Sequence, residues 1–261
     1  MILIWLAVAQ GIAEFLPLSS TAHLIVISKF VGSVHPGIHY IVVLHLGSMV
    51  AIFLYFWQEI KGMILGIPLL LKGKTSPSVW LALMVVLATF PVIFGGFIIS
   101  KLISPTSNSV LIIGINSIIF GLLLYIADKV DVKEGDIHKI TWKHALWVGI
   151  AQVFALLPGA SRSGCTISMA RFLGYSRIES TKFSFLMGIP TILGASVLKL
   201  KDISWGDPSI DFDFFFFGSL LSFIVSYAVI SILMRLLNHI SFLPFAIYRC
   251  VLGVILLIWF T

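Results

Sequence analysis

Charge is what this chain has least of: Asp, Glu, Lys and Arg make up 11% of its residues, against about a quarter in an ordinary soluble domain. So sparse a set cannot clothe a water-soluble fold of 261 residues, 59% of them hydrophobic, with a mean hydropathy of +1.09. Cysteine is nearly absent too. Cys165 and Cys250 lie in separate apolar stretches, which excludes a disulfide framework and a cysteine metal cluster. A basic leader is missing: Met1 runs straight into ILIWLAVAQ, so no cleavable signal is expected. The apolar runs are continuous rather than alternating, which excludes a membrane barrel. Acids are few, 11 against 17 basic residues, for a net charge of +6. In so apolar a chain that surplus marks cytoplasmic loops, not a nucleic-acid surface.

What is present is a series of apolar runs long enough to cross a bilayer, for which about twenty residues suffice. Six read as full spans: 39–57, 78–100, 108–127, 182–200, 214–237 and 243–260. Residues 1–32 and 144–174 differ. Each holds a short apolar piece, a break rich in Pro and Ser, and a second short piece. Broken helices persist at membrane depth only where protein or a water-filled cavity satisfies the freed backbone groups. Both regions are therefore expected to be re-entrant helix–loop–helix hairpins.

These two regions also match one another. AQGIAEFLPLSSTAHLIVISKFVG and AQVFALLPGASRSGCTISMARFLG share an opening Ala-Gln, a Leu-Pro at the break and a closing basic-Phe-x-Gly, and Ser19 falls on Ser161. Three spans follow each hairpin, an odd number, so the second copy enters the membrane upside down, as in many transporters. The expected fold is an all-α polytopic membrane protein: six transmembrane helices plus two re-entrant hairpins in an inverted repeat. It is one domain over 1–261, with repeats near 1–127 and 144–261 joined by the polar loop 128–143, read as a solvated connector. Lys61, Lys72, Lys74, Lys129, Lys133, Lys139, Lys143, Arg177, Lys182 and Arg235 fall on one side, and Lys29, Lys101, Lys199 and Lys201 on the other. The first side is expected to be cytoplasmic. Both termini, the mouth of the first hairpin and the acids Asp202, Asp207, Asp211 and Asp213 then face outward.

Ionisable groups at membrane depth are costly and therefore informative. They are Glu14, His23, His45, Arg162 and Arg249. If the hairpins meet tip to tip, one polar pocket gathers Glu14, Ser19, Ser20, Thr21, His23, Ser161, Arg162, Ser163 and Thr166. Such a pocket suits a phosphate ester. Arginine offers a planar fork of donors, and the Gly159–Gly164 stretch, opening a helix, aims backbone N–H groups at an anion. Ser20 and His23, three residues apart, can share a helix face, so His23 could deprotonate Ser20 or activate a water. Glu14 could orient His23 or hold a divalent cation. Plainer readings stand beside these. Serines at a break cap helices, Glu14 could simply pair with Arg162, His45 could be structural, and Arg249 could grip phosphate or anchor the hairpins. A pocket that binds phosphate without cleaving it would serve a transporter instead.

QGIAEFLPLSSTAH and LPGASRSGCTIS, with HISFLPFAIYR near the end, resemble in order and spacing the motifs of the undecaprenyl-diphosphate phosphatase family (BacA/UppP), over essentially the whole chain. The resemblance implies an enzyme of the bacterial cytoplasmic membrane, with its site facing outward. It would hydrolyse undecaprenyl diphosphate to undecaprenyl phosphate and inorganic phosphate, recycling the lipid carrier for cell-wall synthesis, and overproduction would give bacitracin resistance. It implies Gln10 and Glu14 as the first-motif pair, Ser20 as nucleophile, His23 as its base, and Arg162 with Ser161, Ser163 and Thr166 as the diphosphate-binding group. Ser19, Thr21 and Arg249 complete the candidate substrate contacts. A divalent cation, Mg²⁺ or Ca²⁺, is the implied cofactor, with Glu14 as its ligand. Position 10 departs from the family, which often has Glu there: Gln adds no charge. The partners expected are the polyprenyl diphosphate and the bilayer, and the oligomeric state is open, a homodimer included. A flippase of undecaprenyl phosphate using the same pocket is the alternative.

Overall fold

Runs this apolar must satisfy their backbone groups internally, and a helix does so within one segment. The computed structural model describes residues 2–20, 22–23, 38–102, 110–133, 135–201 and 212–259. Thr21, Lys29, the rest of the first hairpin's second arm, and Asp202, Asp207 and Asp211 lie outside the described residues. Ten α-helices and no strand form among those described: α1 (Ile2–Ala13), α2 (Ile38–Tyr55), α3 (Trp57–Leu71), α4 (Pro77–Leu102), α5 (Val110–Asp128), α6 (Trp142–Phe154), α7 (Arg162–Phe172), α8 (Arg177–Leu200), α9 (Phe212–Leu236) and α10 (Leu243–Trp259). Four of these, α4, α5, α8 and α9, are long and apolar enough to cross a bilayer, or five spans in all if the bent pair α2–α3 counts as one.

That bend is a departure from the sequence reading. The run 39–57 is read from the sequence as a full span. Instead the chain turns by 80° at Phe56 and continues as α3. Phe56 and Ile60 are buried, Ile64, Leu65 and Ile67 are exposed, and Glu59 meets Lys182 at 2.8 Å. One buried edge and a charged first turn make α3 a helix lying on the bundle. The polar loop 128–143 departs as well, because it is docked rather than solvated. Ile137 and Ile140 are buried, Trp80 donates its indole N–H to the Ile140 carbonyl at 2.7 Å, and Ile137 N–H donates to Glu179 at 3.1 Å.

The helices pack in matched pairs. α1 lies on α9 as α6 lies on α4, and α2 meets α9 as α8 meets α4. α5 crosses α10, and α2 crosses α8. At the α5–α10 crossing a Cβ on Gly253 would sit 2.7 Å from the Gly114 carbonyl, and one on Gly114 would sit 3.1 Å from the Gly253 carbonyl. Small residues allow such backbone approach where no hydrophobic driving force separates helix from lipid. At one end of the bundle Asp128 accepts from Arg177 Nε at 2.6 Å and Nη2 at 3.1 Å, and from Phe242 N–H at 2.9 Å. Arg171, donating to the Asp128 and Val130 carbonyls, completes a buried junction of α5, α7, α8 and α10.

Candidate active site

Both Pro-and-Ser breaks end helices for local reasons. After α1 the chain turns through Glu14–Leu18, and a new helical stretch starts at Ser20 with Ser19 as its cap, Oγ accepting from Ala22 N–H at 3.3 Å. After α6 it turns through Leu157-Pro-Gly-Ala, and Ser161 caps α7 by accepting from Gly164 N–H at 3.2 Å. Gly159 takes φ +91° against the Ile113 carbonyl, where a Cβ would come within 2.6 Å. Ser161 itself sits at φ 71°, which no other non-glycine among the described residues does. A side chain in that region is strained, and such strain gathers at ligand sites.

The two turns meet. Arg249, fully buried, donates from Nη1 to the Pro17 carbonyl at 3.2 Å, from Nη2 to the Gly159 and Ala160 carbonyls at 3.0 and 2.8 Å, and from Nε to the Ser117 carbonyl at 3.4 Å. Ser163 Oγ donates to the Leu16 carbonyl at 3.0 Å. Across this seam Arg162 Nη2 reaches Glu14 Oε1 at 3.0 Å, while its Nη1 donates to the Ser184 carbonyl at 3.0 Å. Gly188 makes the room: a Cβ there would lie 2.5 Å from Nη1. Thr166 is tucked behind, donating to the Arg162 carbonyl at 2.9 Å and sharing a 2.6 Å bond with Ser184 Oγ.

Gln10 Nε2 donates to Glu14 Oε2 at 2.9 Å and lies 3.2 Å from His45 Nε2. His45 Nδ1–H donates to the Ile41 carbonyl at 2.8 Å, which leaves Nε2 its lone pair, and that nitrogen is 3.5 Å from Glu14 Oε2. His23 has the same tautomer. Nδ1–H donates to the Ser19 carbonyl at 2.6 Å, and Nε2 accepts from Tyr248 hydroxyl at 2.7 Å. Glu14, Gln10, Arg162, Ser161, Ser163 and Thr166 are thus brought together. Arg249 lies between the turns with its donors on carbonyls, and His23 faces Tyr248 rather than Ser20. The sequence gives His45 as an ionisable group that could be structural and does not single out Tyr248, Ser184 or Gly188. His45 carried a signal, being an ionisable group on an apolar span.

The donors do not fit a resident divalent cation in this arrangement. Hard cations take several oxygens, yet one carboxylate is on offer and both its oxygens already accept from Arg162 and Gln10. Among the described residues no three His, Cys, Asp or Glu side chains cluster as a metal site.

The family model of Bacitracin resistance protein BacA matches residues 3–255. A protein named Undecaprenyl-diphosphatase, from Alcanivorax borkumensis, is 38% identical over 255 residues, which is 97% of this chain and 96% of that protein.

Proposed function

The chain belongs to the bacitracin resistance protein BacA family, and from that membership we infer that it hydrolyses undecaprenyl diphosphate to undecaprenyl phosphate and inorganic phosphate. The named hydrolase among its relatives supports cleavage over transport, so the flippase reading is not favoured. At the site the observation that carries the inference is Arg162, a guanidinium at the meeting of two polar turns, 3.0 Å from its single carboxylate partner. An arriving diphosphate would compete with Glu14 for that fork and meet the N–H groups opening α7. Fixed donors aimed at the transferred phosphoryl are where most of the rate gain of such a reaction arises.

Ser20 Oγ, or a water in its place, attacks the terminal phosphorus in line. The bridging P–O bond breaks and undecaprenyl phosphate leaves; where Ser20 attacks, a water then cleaves the Oγ–P bond of the phosphoserine, releasing inorganic phosphate and restoring the hydroxyl. His23 Nε2 takes the proton of the attacking group once it releases Tyr248, an exchange consistent with catalytic hydrogen bonds that form only with substrate bound. Gln10, its amide nitrogen between Glu14 Oε2 and His45 Nε2, holds Glu14 in place. The expected cation, Mg²⁺ or Ca²⁺, would arrive on the diphosphate. The matched helix pairs support an inverted repeat of six spans and two re-entrant hairpins, and the loop charges support a site open to the outer face of the cytoplasmic membrane.

Phosphate release from undecaprenyl diphosphate by the purified protein in detergent tests this, with Ser20→Ala and His23→Ala alongside and with Mg²⁺, Ca²⁺ and EDTA arms. Wild type should turn over, and both variants should lose turnover while His23→Ala still binds the lipid. A folded wild type that releases no phosphate overturns the inference. Turnover kept in Ser20→Ala transfers the attack to water.

A further inference from the structure

A cavity of about 620 Å³ lies at the foot of the second hairpin, at the opposite end of α6 from Arg162, lined by Trp80, Lys139, Thr141, Trp142, Lys143 and Trp147 among others. Its lining holds two lysines and no carboxylate. Trp80 is a fixed wall, its indole N–H committed to the Ile140 carbonyl. Lys143 is folded over Trp142, with Nζ 5.6 Å from the ring centroid. Trp142 and Trp147 are 54% and 53% exposed. The cavity sits in the first turns of α4 and α6, where their apolar stretches begin, and tryptophan collects where hydrocarbon gives way to headgroups. Below it Trp147, Ile150 and Phe154 fall at i, i+3 and i+7, an exposed apolar stripe down α6.

We propose that this cavity binds one anionic phospholipid, its phosphate between Lys139 and Lys143 and an acyl chain along the Trp147–Ile150–Phe154 stripe. Two cations with no carboxylate in the lining select an anionic headgroup over a zwitterionic one. The stripe selects a lipid over a soluble phosphate. The opposite face of α6 packs so tightly on α4 that a Cβ on Gly149 would lie 2.4 Å from the Ala88 carbonyl. A lipid held at its foot therefore braces the arm that leads to Arg162.

The site is separate from the diphosphate pocket, so its test does not depend on hydrolysis. Wild type, Lys139→Gln/Lys143→Gln and Lys72→Gln/Lys74→Gln are reconstituted in nanodiscs of mixed phosphatidylcholine and phosphatidylglycerol. Native mass spectrometry then counts the phosphatidylglycerol each retains. All four lysines are exposed, so folding should be unaffected, and melting temperatures check it. Phosphatidylglycerol affinity should fall about thirty-fold in the first pair, about five-fold per lysine near the membrane surface, and stay unchanged in the second. Trp147→Ala should weaken retention with the lysines intact. Equal loss in both pairs would mean a general surface charge, and full retention in the first pair, or displacement by inorganic phosphate alone, would equally overturn the proposal.

Discussion

His23, the base in the proposed mechanism, has its lone pair covered. Its Nδ1–H is fixed on the Ser19 carbonyl, so basicity resides on Nε2, and Nε2 is occupied by the Tyr248 hydroxyl. Tyr248→Phe keeps the ring beside the imidazole and removes the competing donor. A net hydrogen bond of about 0.5–1.5 kcal/mol then no longer opposes the move to Ser20, and kcat should rise about two- to ten-fold in the phosphate-release assay. A ten-fold fall would instead make Tyr248 a substrate contact. The Glu14–Arg162 pair was legible in the sequence because ionisable groups stand out in an oily chain. Tyr248 was not, lying 225 residues from its partner in a helix where a tyrosine looks like packing. His45 was visible as an anomaly but not as a contact of Gln10 and Glu14, since nothing local encodes a pairing across 35 residues.

At the scale of elements, α8 sets where Arg162 points. Its Ser184 carbonyl accepts from Nη1, and Gly188, one turn on, leaves the space the guanidinium fills. A methyl at 188 would meet the far end of a flexible side chain rather than backbone, so Gly188→Ala should fold while Arg162 shifts. Misplacement on the order of 1 Å can cost about a hundred-fold. The expected result is therefore kcat/KM down about ten- to a hundred-fold with an unchanged melting temperature. Activity kept at the wild-type level would mean that the Arg162 position has slack. The helices α4, α5, α8 and α9, long and apolar enough to cross a bilayer, were legible from run length, and the breaks after α1 and α6 from Pro and Ser, while the first hairpin's second arm lies outside the described residues. α3 was not: Trp57-Gln-Glu-Ile-Lys-Gly carries too much charge for a span, and a surface helix needs a neighbour to define its buried edge, which here is α4.

Across the whole molecule, a single side chain near the C-terminal end joins both halves. Arg249 reaches Pro17 in the first turn, Gly159 and Ala160 in the second, and Ser117 in α5, so its donors sit on four carbonyls of three separate segments. From sequence alone, gripping phosphate and anchoring the hairpins were equally good roles for it, because both need the same fork of donors. The two roles differ in what a variant loses. Arg249→Met fills the same buried volume without donors. A buried group left unpaired costs about 1–3 kcal/mol, and about 3 kcal/mol lost in a chain of this size lowers the melting temperature by about 10 °C. For an anchor, thermal scans in detergent should show that fall, and turnover should drop with it as the turns separate and Arg162 loses its register with Glu14. For a phosphate ligand, the melting temperature would hold and KM alone would rise. The fully buried position of Arg249, with each donor nitrogen already on a carbonyl, argues for the first outcome.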